Sequence, residues 1–550
     1  MNKASRNAAI WYASDGYDPG SNGINGRRMA GASFLKGFFR HADVDEFVSV
    51  TRGRGGSKDF LDVKNRYAPT TPHRAVFHGQ TAKIAPVGTL YFPAPNFADH
   101  CWQRQAFGMA RYSICGITHT TATQSVMRGF FDLRAGPQAE WDGVICTSRA
   151  VHAATVRNME IAEAFLRDRF GSVPPRPQLP VIPLGINSDD FTADAQARAT
   201  LRAQMQWGED DIAVVTVARL LPYGKFDPGP LFMALQRAQE QLGQQKRLHF
   251  IACGIFGDSH SETVFTDCAR NLMPSVAYHH LPGDDPVLRK QTLSAGDIFA
   301  FPIDNIQETF GLSPIEAMAA GLPVVASDWD GMRDTVSPDV GIRVPTRSVG
   351  AEASQPEAAG YLSGELSYAH YGNRLSMLTQ IDLRQMTEAF VALARDAQLR
   401  RRMGAAGLRR ARTEYDWSVI VPRMQDFWAE LNSIRLTSVN PEGRGAHHNP
   451  VGPAPMDVFA TYPTVLANRS DDRLVAVGDA ARLRLVFELR GYDRLGWPAE
   501  KRSTLERVLA ALTARGASGG TMDELATDLG WNKLTVERCA LFLQKYGLAD

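Results

Sequence analysis

Gln307-Glu308-Thr309-Phe310-Gly311-Leu312-Ser313-Pro314-Ile315-Glu316-Ala317-Met318-Ala319-Ala320-Gly321-Leu322-Pro323-Val324-Val325-Ala326-Ser327 is the stretch on which the fold turns. An apolar run from Ile298 to Pro302 precedes it and reads as a strand, and Pro323 to Ala326 reads as the next one. Between them Ser313 offers a hydroxyl N-cap, Pro314 suits the first helical position and Glu316 falls at the third, so the spacing predicts a helix from Pro314. Such a helix aims the unpaired amides near Phe310 to Ile315 out of the carboxyl end of a parallel sheet, where its dipole favours an anion. The ligand crevice of open α/β sheets lies at that end, and a nucleotide diphosphate is its natural guest. Glu308 would then face hydroxyls beyond the phosphates and Glu316 a ribose, although Ser-x-x-Glu is also a capping box that serves any helix.

Cations follow another strand, in Val215-Thr216-Val217-Ala218-Arg219-Leu220-Leu221-Pro222-Tyr223-Gly224-Lys225. The Arg219 fork can grip phosphate oxygens bidentately and Lys225 adds a point charge, which together could stabilise a departing diphosphate without a metal. With 60 Lys+Arg against 59 Asp+Glu the formal charge is only +1, so no bulk positive field points to nucleic acid and any polyanion site is local.

Outward from these motifs the chain reads as α/β. Strands are expected at Ala8 to Tyr12, Arg74 to His78, Thr89 to Phe92, Ser113 to Thr118 and Gly143 to Thr147. A second series follows at Ile212 to Ala218, His249 to Gly254 and Val276 to Leu281 before the run that opens the decisive stretch. Asp18-Pro19-Gly20-Ser21-Asn22-Gly23-Ile24-Asn25-Gly26 is a Gly-rich loop leading into a helix that carries Met29, Phe34, Leu35, Phe38 and Phe39 at helical spacing. Val181 to Asn187 reads as a strand ending in a turn near the hinge, 347–380 as an insertion, and 382–411 as a helical pattern. The 550 residues call for about three or four folding units, which are set here at 1–185 and 186–415 for two doubly wound domains facing a cleft. A crossover helix at 416–432, a linker at 433–455 and a small, mostly helical module at 456–550 complete the chain.

These motifs resemble the family-4 glycosyltransferases, retaining enzymes of the glycosyltransferase B fold, over roughly residues 8 to 432. The carriers of the resemblance are the E-x7-E pair Glu308 and Glu316 with the trailing Ala317 to Ser327, the Gly-rich loop, Thr118-His119, Ile145 to Ser148, Ile182 to Asn187 and the Arg219/Lys225 pair. The helix end Leu399 to Gly404 and the segment Tyr415 to Ser418 match more weakly. The resemblance implies sugar transfer from a nucleotide diphosphate with retention of configuration. It implies catalytic contacts from His119, Glu308, Arg219 and Lys225, and donor contacts from Gly20, Gly23, Thr309, Phe310, Gly311, Leu312 and Glu316. Lys225 lies six positions after Arg219, one more than the usual family spacing, and Asp328-Trp329-Asp330-Gly331 stands where the family usually has a Gly-Gly turn. Asp328-Trp329-Asp330 also matches the D-x-D of metal-dependent glycosyltransferases; the cationic pair already supplies the charge, so no metal and no other cofactor is expected.

Within the tail, Thr504 to Leu512, Thr521 to Trp531 and Leu534 to Tyr546 resemble a winged-helix or helix-turn-helix module. Residues 501–550 carry seven Lys+Arg against six Asp+Glu, which disfavours DNA and favours a protein partner or self-association. The expected protein is a metal-independent retaining glycosyltransferase using a UDP- or GDP-sugar and a glycan, lipid-linked or protein acceptor, in surface polysaccharide or glycan biosynthesis. The alternatives are a sugar phosphorylase or nucleotide-sugar epimerase on the same fold, or a regulator acting through the tail. Six scattered cysteines without a C-x-x-C pair, no signal-peptide core and no run of roughly 18 apolar residues suit the cytoplasm, with peripheral contact to the inner membrane face left open.

Overall fold

The computed structural model describes residues 6–18, 26–438, 450–467, 473–492 and 500–550. The chain divides into two compact units, residues 1–447 and 448–550. The first unit holds two parallel six-stranded sheets. In the first lobe these are β1 (Ala9–Trp11), β2 (Phe47–Thr51), β3 (His73–Phe77), β4 (Thr89–Tyr91), β5 (Ser113–Ile117) and β6 (Gly143–Ile145), ordered β3-β2-β1-β4-β5-β6. In the second they are β7 (Asp211–Leu220), β8 (Arg247–Phe256), β9 (Ala277–Pro282), β10 (Ile298–Phe301), β11 (Val324–Ser327) and β12 (Gly341–Val344), ordered β9-β8-β7-β10-β11-β12. Both lobes therefore share one Rossmann-like order whose direction reverses beside its first strand, and the reversal in the second lobe falls between β7 and β10. The loops after these two strands carry Lys225 and Glu308.

The central strands are covered on both faces, so their residues are buried continuously rather than alternately. Strands β2 and β12 are absent from the sequence reading. Val181 to Asn187 forms no strand: it makes only single bridges, Val181 to Cys146 and Ile186 to Asp416. Pro180 and Pro183 lack the amide that a continuous ladder needs. The helical pattern at 382–411 is two helices, Leu383–Arg395 and Ala397–Glu414, broken at Asp396, whose carboxylate caps the second by accepting from the Leu399 amide. The helix expected to end at 432 runs from Trp417 to Thr437, so the first residues assigned to the linker are helical; 439–449 lie outside the described residues.

That last helix of the unit lies against the first lobe. Trp417 Nε1 donates to Ser33 Oγ at 2.9 Å, and Arg435 donates to the Ala110 carbonyl at 3.0 Å. The Trp417 ring fits because Gly37 and Gly185 face it: a Cβ would stand 2.2 Å and 2.6 Å from ring atoms.

The second unit is helical, with helices at Ala480–Arg490, Arg502–Arg515, Met522–Leu529 and Lys533–Lys545 around Leu483, Phe487, Leu509, Val536 and Leu543. A short extended run bridges Leu474 to Gly520 and Ala476 to Ala549. Thr521 and Glu524 form a reciprocal capping box on the third of these helices. Among the described residues no helix is long and apolar enough to cross a membrane.

Candidate functional site in the interlobe cleft

An open cavity of about 410 Å³ lies between the lobes. Arg219, Lys225, Glu308, Thr309, Phe310, Gly311 and Leu312 line it from the second lobe, and His119 and Thr120 from the first. Eight of the residues singled out in the sequence thus share one space. Glu316 is not among the lining residues, and Gly20 and Gly23 lie outside the described residues.

The helix of the decisive stretch begins two residues earlier than expected, at Leu312, with Gly311 at its N-cap and no side-chain cap. Ser313 is therefore inside the helix and the capping box with Glu316 does not form. Glu308 takes over the start of the helix, its Oε1 accepting from the Gly311 amide at 3.0 Å. Gly311 has φ +81°, and a Cβ there would come within 2.8 Å of the Met332 sulfur, so both the left-handed backbone and the space require glycine.

Glu308 Oε2 is ion-paired with Lys225 Nζ, and both side chains are largely buried, at 14% and 19% exposure. Burial would raise the Glu308 carboxyl, but the Lys225 charge and hydrogen bond, together with the Gly311 and Phe310 amides, hold it below the usual carboxylate range. The Lys225 ammonium also lies 5.0 Å over the Phe301 ring. Arg219 is exposed at the end of β7.

Glu316 behaves oppositely. Burial pushes its carboxyl up to about 7, with the Arg289 charge opposing the rise. Asp304 and Asp330 also rise to about 7, both mainly through burial. Asp330 accepts from Ser148 Oγ of the first lobe at 3.0 Å, and the nearby Glu308 and Asp334 charges add to its rise. Asp328 is ion-paired with Arg343 at 2.9 Å.

Several residues of the site escaped the sequence reading. Asn305 is fully buried and joins three segments: its Nδ2 donates to the Tyr223 carbonyl and to Ser376 Oγ, and its carbonyl accepts from Trp329 Nε1. Across the cleft, Thr309 Oγ1 donates to the His119 carbonyl at 2.9 Å, and Arg149 pairs with Asp334 at 2.7 Å. Tyr368, on the insertion, lines the cavity. Its one sequence signal was the clustering of three of the chain's fourteen tyrosines, Tyr361, Tyr368 and Tyr371, within eleven residues.

Residues 197–358 match the family model of glycosyl transferases group 1. The match falls on the second lobe and does not reach the first. The chain is 30% identical over 226 residues to a D-inositol 3-phosphate glycosyltransferase of Kineococcus radiotolerans, covering 40% of this chain and 48% of that protein. It is 28% identical over 155 residues to a sulfoquinovosyl transferase of Arabidopsis thaliana, covering 28% of this chain and 27% of that one. The matched stretches thus span half or less of these relatives. Among solved structures, the sucrose-phosphate synthase of Thermosynechococcus elongatus aligns over 78% of this chain and 99% of its own, at 17% identity and a TM-score of 0.47. The residues that match the family model include Arg219, Lys225, Glu308 and Glu316, whereas His119 comes from the other lobe.

Proposed function

We propose that the protein is a retaining, metal-independent glycosyltransferase that moves a sugar from a UDP- or GDP-linked donor to a glycan, lipid-linked or protein acceptor in surface polysaccharide or glycan biosynthesis. The observation that supports this reading is the single cavity in which Arg219, Lys225, Glu308 and the segment from Thr309 to Leu312 face His119. Arg219 and Lys225 hold the diphosphate and take up the charge that grows on it as the glycosidic bond breaks. Glu308, ionised, accepts hydrogen bonds from donor-sugar hydroxyls with lone pairs that Lys225 and Gly311 leave unused. The departing phosphate takes the acceptor's proton on the face it leaves, so configuration is retained and no protein base is needed. That the matched relatives are glycosyl and sulfoquinovosyl transferases supports the reaction type.

The test is thermal unfolding with UDP-glucose, UDP-N-acetylglucosamine and GDP-mannose, followed by nucleotide release with the donor that binds. A ligand present at 100 times its Kd stabilises the folded state by about 2.7 kcal/mol, so one donor is expected to raise the midpoint measurably. Turnover is expected to survive EDTA. Absence of stabilisation by every donor would refute the assignment, and EDTA inhibition reversed by manganese would refute metal independence.

Glu316 lies outside the cavity lining, and a nucleoside that extends past the lining to reach it would give this reading a pH signature. The ionised carboxylate accepts the ribose O–H groups, and a carboxyl at about 7 is half protonated at neutral pH. Affinity for the donor is therefore expected to fall about tenfold per unit as pH drops below 7 and to level off above it. A nucleotide-sugar donor has no phosphate that titrates in this window, and Glu316→Gln should flatten the profile. A profile that rises toward acid pH, or one unchanged in the variant, would remove Glu316 from the ribose.

A further inference from the structure

We propose that residues 346–381 form a splint that fixes the His119 loop against the Glu308 loop, with Tyr361 as its positioning residue; this rests on the functional reading above. The insertion leaves the second lobe directly after β12 as an antiparallel stalk, β13 (Thr346–Ser348) paired with β14 (Thr379–Ile381). The stalk carries a head of two helices, Gln355–Ser363 and Tyr368–Met377.

One side of the head grips the Glu308 loop. Ser376 Oγ accepts from Asn305 Nδ2 at 3.0 Å, and Asn305 Oδ1 in turn accepts from the Gln307 amide at 2.9 Å. A Cβ at Gly372 would stand 3.5 Å from Asn305 Nδ2, so the second helix lies directly on this loop.

The other side reaches the first lobe just beyond His119. The Gln124 amide donates to Tyr361 Oη at 3.0 Å. Gln124 is the first residue of the helix Gln124–Ala135, whose N-cap Thr123 serves Val126, so its amide has no partner within the helix. Tyr361 satisfies it from another lobe. The Tyr361 ring stacks on Tyr371 of the second helix, centroids 4.8 Å apart and planes at 19°, which fixes the phenol's direction. Tyr368 lies beside Thr120, whose side chain opposes the rise that burial causes in the phenol's pKa. The segment 119–124 is thus held at its His119 carbonyl by Thr309 and at the Gln124 amide by Tyr361, while the insertion is fastened to Asn305. The distance between His119 and Glu308 is thereby set through a short chain of hydrogen bonds rather than by the hinge alone. Chemistry that needs both residues on one sugar is sensitive to displacements well under an ångström.

The bond can be removed from either end. Tyr361→Phe deletes only the hydroxyl. Gln124→Pro deletes the N–H at a first helical position, where proline fits, and Thr123, at φ −76° and ψ 148°, already has the backbone that a following proline demands. Each variant is expected to lower kcat for nucleotide release from the donor by about five- to tenfold, with donor KM and UDP or GDP affinity within about twofold, and the double variant to be no slower than either single one. In the free protein, hydrogen–deuterium exchange over 118–124 is expected to quicken in both variants while β7 and β10 are unchanged. Unaltered exchange in that segment, rate losses that multiply in the double variant, or nucleotide affinity that falls in step with kcat would overturn the splint. A wild-type protein that neither binds nor turns over any of the three donors would overturn the functional reading alone, since the exchange measurement needs no ligand.

Discussion

Glu308→Ala is expected to abolish turnover, by about 10³-fold or more, and also to destabilise the first unit by about 3–5 kcal/mol. A glutamate in a loop after a strand would ordinarily be exposed, and its loss would leave folding intact. The structure corrects this: the side chain is 14% exposed, pairs with Lys225 and accepts from the Gly311 amide at the start of the helix Leu312–Ala319. Truncation leaves a largely buried ammonium without its counterion and the Gly311 amide without its acceptor. The folded pKa of Glu308 is depressed, so this contribution is present at neutral pH, above the unfolded pKa, and is lost as pH falls through the depressed value. Glu308→Gln separates the two effects. It keeps the shape and one acceptor but not the charge, so it should lose less stability than Glu308→Ala while still losing most turnover, because a neutral amide cannot replace the carboxylate in the contact proposed with the donor sugar. Wild-type turnover in the folded glutamine variant would remove Glu308 from the chemistry.

Much of the fold was legible because its strands are buried on both faces and therefore read as unbroken apolar runs, as in Ile298 to Phe301 and Val324 to Ala326. Strand β2 escaped because Ser49 and Thr51 interrupt its run, although both are fully buried, with Ser49 bonded to His73 and Thr51 to the Gly53 carbonyl. Strand β12 is four residues long, and its Arg343 is taken up by Asp328. Local chemistry also misplaced the helix start. Ser313 is the better local cap, yet Glu308, paired with Lys225 from 83 positions away, fixes the chain so that Gly311 precedes the first turn. The charged members of the site could be read because charge at a strand end has few structural uses. Asn305 and Tyr361 could not, since each acts through a partner at least 71 positions away, and no spacing within the chain records such a distance.

Lys225→Met is expected to lower kcat/KM for the donor by about 10²–10³-fold, because the charge that should meet the leaving diphosphate is gone. The same variant leaves Glu308 buried without a cation. Burial, the largest influence on that carboxyl, then works against only the Gly311 and Phe310 amides, and the pKa of Glu308 moves up. The variant should therefore gain less stability than wild type from the ionisation of Glu308, which a pH series of unfolding midpoints would show. Adding Glu308→Gln to Lys225→Met removes the stranded charge, so the double variant should unfold at a higher temperature than Lys225→Met while remaining as inactive. Arg219 provides the contrast: its side chain is exposed at the end of β7, so Arg219→Met should lose donor affinity with little change in unfolding. The two cations can thus be told apart by stability even though the same role on the diphosphate is proposed for both. Wild-type donor affinity in Lys225→Met, or a double variant no more stable than Lys225→Met alone, would show that the Lys225–Glu308 pair does not organise the cavity.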